Sequence, residues 1–169
     1  MLSQVVQDAL NEQINAELIA SYNYLAMSAH CQQQNMFGFA NWLQVQSQEE
    51  YGHAMKLYGF LVARGGRVQL KEIPKPQAEF ASLLDVFETA LKHEQHVSQR
   101  IDSLYELAFK EKSFAALVEL QWFITEQVEE EQTFRDIVSK LQLLKNDIAA
   151  ILELDRVLGG RTAAAEASE

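Results

Sequence analysis

The chain has 169 residues, 48% of them hydrophobic, and a net charge of −10 from 24 acidic and 14 basic side chains. That length and apolar content suit one domain with a proper core, and the acidic balance argues against DNA, RNA or an anionic membrane as partner while favouring cations. Only seven Gly and two Pro leave few breakers, and the abundance of Ala, Leu, Gln, Glu and Lys points to an all-α chain. No run approaches membrane-spanning length, and the first residues lack a basic patch followed by an apolar core, so an unexported protein is expected. The single cysteine, Cys31, excludes an intrachain disulfide and a CxxC zinc or iron site and suits a cytoplasmic location.

Helical period runs from about Ser3 to Gln33, with Val6, Leu10, Ile14, Glu17, Tyr24 and Ser28 near one face. Gln34 to Met36 allows a tight reversal into a second helix, from about Phe37 to Arg64, whose stripe is Phe39, Leu43, Gln46, Glu50, His53, Leu57 and Phe60. Between Gly65 and Glu79 lie Gly65, Gly66 and both prolines, Pro74 and Pro76, without helical period. This linker, extended, reaches roughly 50 Å, whereas the second helix is roughly 40 Å long. It can therefore travel the length of a bundle and bring the third helix in parallel to the second, which predicts four helices with one long crossover. The third helix is expected from about Phe80 to Phe109, with Phe80, Leu84, Phe87, Leu91, Glu94, Ile101, Tyr105 and Ala108 on one side. After Lys110 to Lys112, Ser113 is the expected N-cap of a fourth helix carrying Phe114, Leu117, Leu120, Ile124, Gln127, Glu130, Phe134, Ile137 and Leu141 inward. A hitch near Gln142 to Asn146 precedes a short apolar fifth helix that stops at Gly159 and Gly160. One domain is expected over 1–160, with a disordered tail over 161–169.

Each of the four long helices thus sets ligand-type residues in its apolar stripe: Glu17, then Glu50 with His53, then Glu94, then Gln127 with Glu130. A buried carboxylate costs several kcal/mol unless it is paired, hydrogen-bonded or metal-bound. A single glutamate at a stripe edge is ordinarily a surface group; four helices agreeing near mid-height point to a metal site. Oxygen-rich ligation with one imidazole suits iron or manganese. The run His93-Glu94-Gln95-His96 is not a zinc-protease signature, because its histidines stand three apart rather than four.

With these residues in place, the sequence resembles the bacterial non-haem ferritins from the first helix through the fifth. The wider di-iron carboxylate pattern has one Glu from each of two helices and Glu-x-x-His from each of the other two. Here the fourth helix departs from it, offering Gln127-x-x-Glu130. The resemblance implies an iron-storage ferroxidase that oxidises Fe(II) with O2 or H2O2 and deposits ferric oxyhydroxide inside a homo-oligomeric cage of about 24 subunits. It assigns Glu17, Glu50 and His53 to a first iron, with Glu50 bridging, and Glu94 and Glu130 to a second. Gln127 would orient bound oxygen species, Tyr24 would lie hydrogen-bonded beside the centre, and Trp122 stands where some relatives have a redox-active tryptophan. Glu49, Glu126 and Glu129, with Glu130 shared, resemble an additional third iron site. Tyr51 follows Glu50 where haem-binding relatives have a methionine, so no haem is expected. Two relatives of other function are less well matched. A rubrerythrin-like peroxidase would carry CxxC pairs, and a DNA-coating mini-ferritin would have a basic tail and a helix within the linker.

Overall fold

The computed structural model describes residues 2–163. Among them there are five helices and no strand: α1 Gln4–Gln33, α2 Phe37–Ala63, α3 Leu83–Lys110, α4 Phe114–Leu144 and α5 Ile148–Leu158. Asn35, at φ 59°, turns the chain between α1 and α2, a left-handed conformation that Asn tolerates better than most residues. Helix α3 starts three residues later than its periodicity suggests, because the Ser82 hydroxyl accepts the Asp85 N–H and so fixes the first turn. Ser113 does stand at the N-cap of α4, but its side chain makes no capping bond. Asp147 caps α5 by accepting from the Ala150 N–H at 3.1 Å. At the other end of α5, Gly159 has φ −64° rather than a left-handed value. Its use is closeness: a Cβ there would come within 3.2 Å of the Gly38 Cα, and one on Gly38 would overlap the Asp155 carbonyl.

The buried apolar residues form two clusters, one at each end of the bundle. Ala20, Tyr24, Met27, Phe39, Leu43, Phe87, Ala90, Phe134 and Ile137 belong to one; Val6, Leu10, Ile14, Leu57, Leu61, Val97, Ile101, Leu120 and Phe123 belong to the other. The order in which each helix visits them gives the topology. Helices α2 and α3 both run from the first cluster to the second, while α1 and α4 run the other way, so α3 returns parallel to α2 as the long linker requires.

The crossover lies along α1 in extended form. Asn11 Oδ1 accepts the Gln69 N–H at 2.7 Å while its Nδ2 donates to the Arg67 carbonyl at 2.9 Å. One turn on, Asn15 repeats the pattern with the Lys71 N–H and the Gln69 carbonyl, at 2.7 and 2.8 Å. Two asparagine amides thus stand in for a neighbouring strand and satisfy backbone groups that a helix face cannot pair. The C-terminal segment is also held at its start. Arg161 lies over the Trp42 ring at 4.1 Å and pairs with Glu49 at 2.5 Å; of the tail expected over 161–169, residues 164–169 lie outside the described residues.

Candidate metal centre

Between the two apolar clusters every long helix contributes polar side chains, and these form a belt across the core. Glu17 sits between Ile14 and Ala20, Glu50 and His53 between Leu43 and Leu57, Glu94 between Ala90 and Val97, and Gln127 and Glu130 between Phe123 and Phe134. All six are buried, Glu17, Glu50 and Glu94 to 1% exposure. Glu17, Glu50 and His53 bring three donor atoms within 4.8 Å of one another, and His53, Glu126 and Glu130 do the same. His53 Nδ1 lies 3.2 Å from Glu50 Oε2. Tyr24 donates its phenol hydrogen to Glu94 Oε1, and Gln127 Nε2 donates to Glu94 Oε2 at 3.1 Å.

Two further amides organise the belt. Gln46 Nε2 donates to Glu50 Oε1 at 2.8 Å and to Glu130 Oε2 at 2.9 Å, using both of its hydrogens to join carboxylates of two helices. Gln13 Nε2 donates to Glu17 Oε1 at 2.7 Å, and Glu17 Oε2 is buried with no partner. An orphaned carboxylate oxygen in the core is costly; a proton or a bound cation would relieve it.

Crowding of carboxyls away from water shifts their ionisation upward. Burial, then the charge of Glu50, pushes Glu17 up to about 8. Burial and the Glu94 carboxylate push Glu130 up to about 7. Glu50 is raised well above the usual carboxylate range by burial, with Glu94 and Glu130 adding to it, and Tyr24 is raised by burial and by Glu94. In the metal-free protein Glu17 therefore keeps its proton at neutral pH, and burial biases Glu50 the same way.

A family model for the ferritin-like domain matches residues 7–144. The chain belongs to the ferritin family. It is 36% identical over 162 residues to the bacterial non-heme ferritin of Staphylococcus aureus strain USA300 and 38% identical to that of Staphylococcus haemolyticus strain JCSC1435, spanning 96% of this chain and 98% of each relative. Among solved structures, an open-pore ferritin from Archaeoglobus fulgidus superposes with TM-score 0.95 at 45% identity, covering 96% of this chain and all of that one. An engineered closed form of the Archaeoglobus fulgidus ferritin superposes equally well, at 46% identity, covering 96% of this chain and 99% of that one.

In this ferritin the residues expected of a third iron site are spread out. Glu126 is half-buried and reaches His53 and Glu130, and burial raises its carboxyl. Glu129 is exposed, and Glu49 is engaged by Arg161. Trp122 packs edge-on against the His53 ring at 5.3 Å, with Lys56 over its face at 4.8 Å. Sequence reading overlooked Gln13, Gln46 and Arg161 as partners of the candidate residues Glu17, Glu50, Glu130 and Glu49. For Gln46 a signal existed, since it shares the stripe of Glu50 and His53; Gln13 lies four residues before Glu17, one turn away, but nothing in its type marks it.

Proposed function

We propose that this ferritin stores iron and is itself the ferroxidase, binding two Fe(II) as substrate in the belt, oxidising them with O2 or H2O2 and passing the ferric product to a mineral inside a homo-oligomeric cage of about 24 subunits. The observation that carries the reading is the convergence of four buried glutamates, one histidine and one glutamine from four helices between two apolar clusters. Glu17, Glu50 and His53 would take the first iron, and Glu94 and Glu130 the second, with Glu50 bridging. Two adjacent cations held by shared carboxylates can deliver two electrons to one oxidant, which a single Fe(II) cannot. Gln127, already aimed at Glu94, would orient the oxidant, and Tyr24 holds Glu94 from the other side. Gln127 in place of a histidine weakens the second position, which suits iron that moves on rather than iron that stays. Glu126 and Glu130, with Glu49 and Glu129 nearby in charge, would form a third iron position once Arg161 releases Glu49. Among the described residues no helix is long and apolar enough to cross a membrane, and the buried free Cys31 suits a cytoplasmic protein.

The test is aerobic loading with a large excess of Fe(II), followed by gel filtration and iron analysis of the protein peak. Many irons per chain on a very large particle are expected. A plateau near about two irons per chain, the content of a di-iron centre, would mean a retained cofactor and sink the storage reading. In parallel, Glu17→Ala and His53→Ala should each slow the fast initial oxidation about tenfold or more while leaving the particle size unchanged, because the ligands lie within one bundle. Wild-type initial rates in both variants would overturn the site.

A further inference from the structure

Arg100 of α3 crosses to α1 and makes two bonds there: its Nε donates to the Gln13 side-chain oxygen at 3.1 Å, and its Nη2 donates to the Glu12 carbonyl at 3.0 Å. A guanidinium only donates, whereas a glutamine amide carries a donor end and an acceptor end. The Arg100 contact therefore decides which end of Gln13 faces which way. Oxygen toward Arg100 leaves the NH2 toward Glu17, and the reverse orientation would set N–H against N–H at one end and oxygen against carboxylate at the other. With Gln13 so fixed, Glu17 Oε1 is taken at 2.7 Å, and Oε2 remains buried without a partner. The two oxygens of one ligand are made unequal by a residue on another helix.

We propose that Arg100 and Gln13 are positioning residues for Glu17: the guanidinium orients the amide, the amide occupies Oε1, and Oε2 alone is offered to the metal. This rests on the iron-site reading above. A carboxylate with one oxygen engaged binds a cation through a single bond, which leaves a coordination position open for oxidant or for iron in transit. Its side chain is also ordered before metal arrives, so binding does not have to immobilise it. Gln13 is 2% exposed, while Arg100 is half-buried in the groove between α1 and α3, beside His96, Gln99 and Leu104. The relay runs from the bundle surface to the belt in two hydrogen bonds.

The experiment is an anaerobic Co(II) titration of the assembled, iron-free protein, read by the visible d–d absorption of the bound ion, alongside KM and kcat for Fe(II) oxidation. Glu17→Ala, the reference, should lose the first Co(II). Gln13→Leu should weaken that Co(II) about 10- to 100-fold, the usual effect of removing a group that orients a ligand, with a matching rise in KM. Arg100→Met should weaken it less, because the amide survives but can rotate. Arg100→Lys should recover most of the loss, since an ammonium also only donates. The double variant Gln13→Leu with Arg100→Met should be no worse than Gln13→Leu alone, since Arg100 acts through the amide. Unchanged Co(II) affinity in Gln13→Leu and Arg100→Met, with Glu17→Ala impaired, would overturn the proposal and leave the site intact; so would a loss confined to thermal stability, or fully additive losses in the double variant. Should Gln13→Leu not assemble, Arg100→Met and Arg100→Lys decide by the same criteria. An unimpaired Glu17→Ala would instead refute the site reading itself.

Discussion

Glu17 shows how one buried carboxyl couples protons, metal and stability. Its folded value of about 8 lies above the ordinary 4.5, so the stability it contributes to the metal-free protein is fully present below about pH 4.5 and is lost as pH rises through 8. Glu130 follows the same course between 4.5 and about 7. Between those limits each group changes stability by at most about 1.4 kcal/mol per pH unit. Metal-free protein should therefore resist denaturant better at pH 5 than at pH 8, and Glu17→Gln should flatten the dependence; a slope unchanged by that substitution would count against it. For iron the sign is opposite. Cations must displace those protons, so the initial Fe(II) oxidation rate, less the Glu17→Ala background, should be about tenfold or more lower at pH 6 than at pH 8. At this scale the sequence was legible where a charge interrupted an apolar stripe, as at Glu50 or Glu94. It was illegible where an ordinary polar residue acquired its role from a partner far along the chain: Gln46 from Glu130, Gln13 from Arg100.

At the scale of elements, α5 packs Ile151, Leu154 and Leu158 against the first apolar cluster without fully burying any residue, and polar bonds tie it to α2 as well. Asp155 Oδ1 accepts the Phe39 N–H at 2.9 Å, capping α2, whose own N-cap residue, Met36, supplies no side-chain bond. Asn41 donates to the Gly159 and Arg161 carbonyls at 3.3 and 3.0 Å. Asp155→Ala should cost about 1 kcal/mol, the usual worth of an N-cap, measured by denaturant unfolding, and should loosen both α2 and α5. Periodicity gave the helices and their order because amphipathic stripes are local. It misplaced the start of α3 because a cap outranks a periodic Phe80, and it could not find an N-cap contributed by a helix more than a hundred residues away.

For the whole molecule, the unpartnered surface is informative. Leu143 is 81% exposed and Ile148 70%, on either side of the α4 to α5 turn, and the cage proposed above would cover them with other copies. Leu143→Glu with Ile148→Glu should leave the helical content of the chain unchanged and shift the gel-filtration peak from the cage to smaller species; an unaltered cage would show that this corner is not a contact. The charge of −10 also acts at long range. Raising ionic strength from about 0.01 to 0.15 M shortens the screening length from about 30 to 8 Å, so initial Fe(II) uptake should slow while the number of irons held at saturation stays the same. The crossover carries a consequence for mutational tolerance. Asn11 and Asn15 grip only its backbone, and the Lys71 side chain adds just an exposed ion pair to Glu12 of little worth, so Gln69 and Lys71 can exchange for most residues that keep their N–H, and proline should be rejected there. Two asparagines whose type suggests a helix surface should resist replacement, and a saturation scan would find the constraint on the helix and the freedom on the crossover segment it holds.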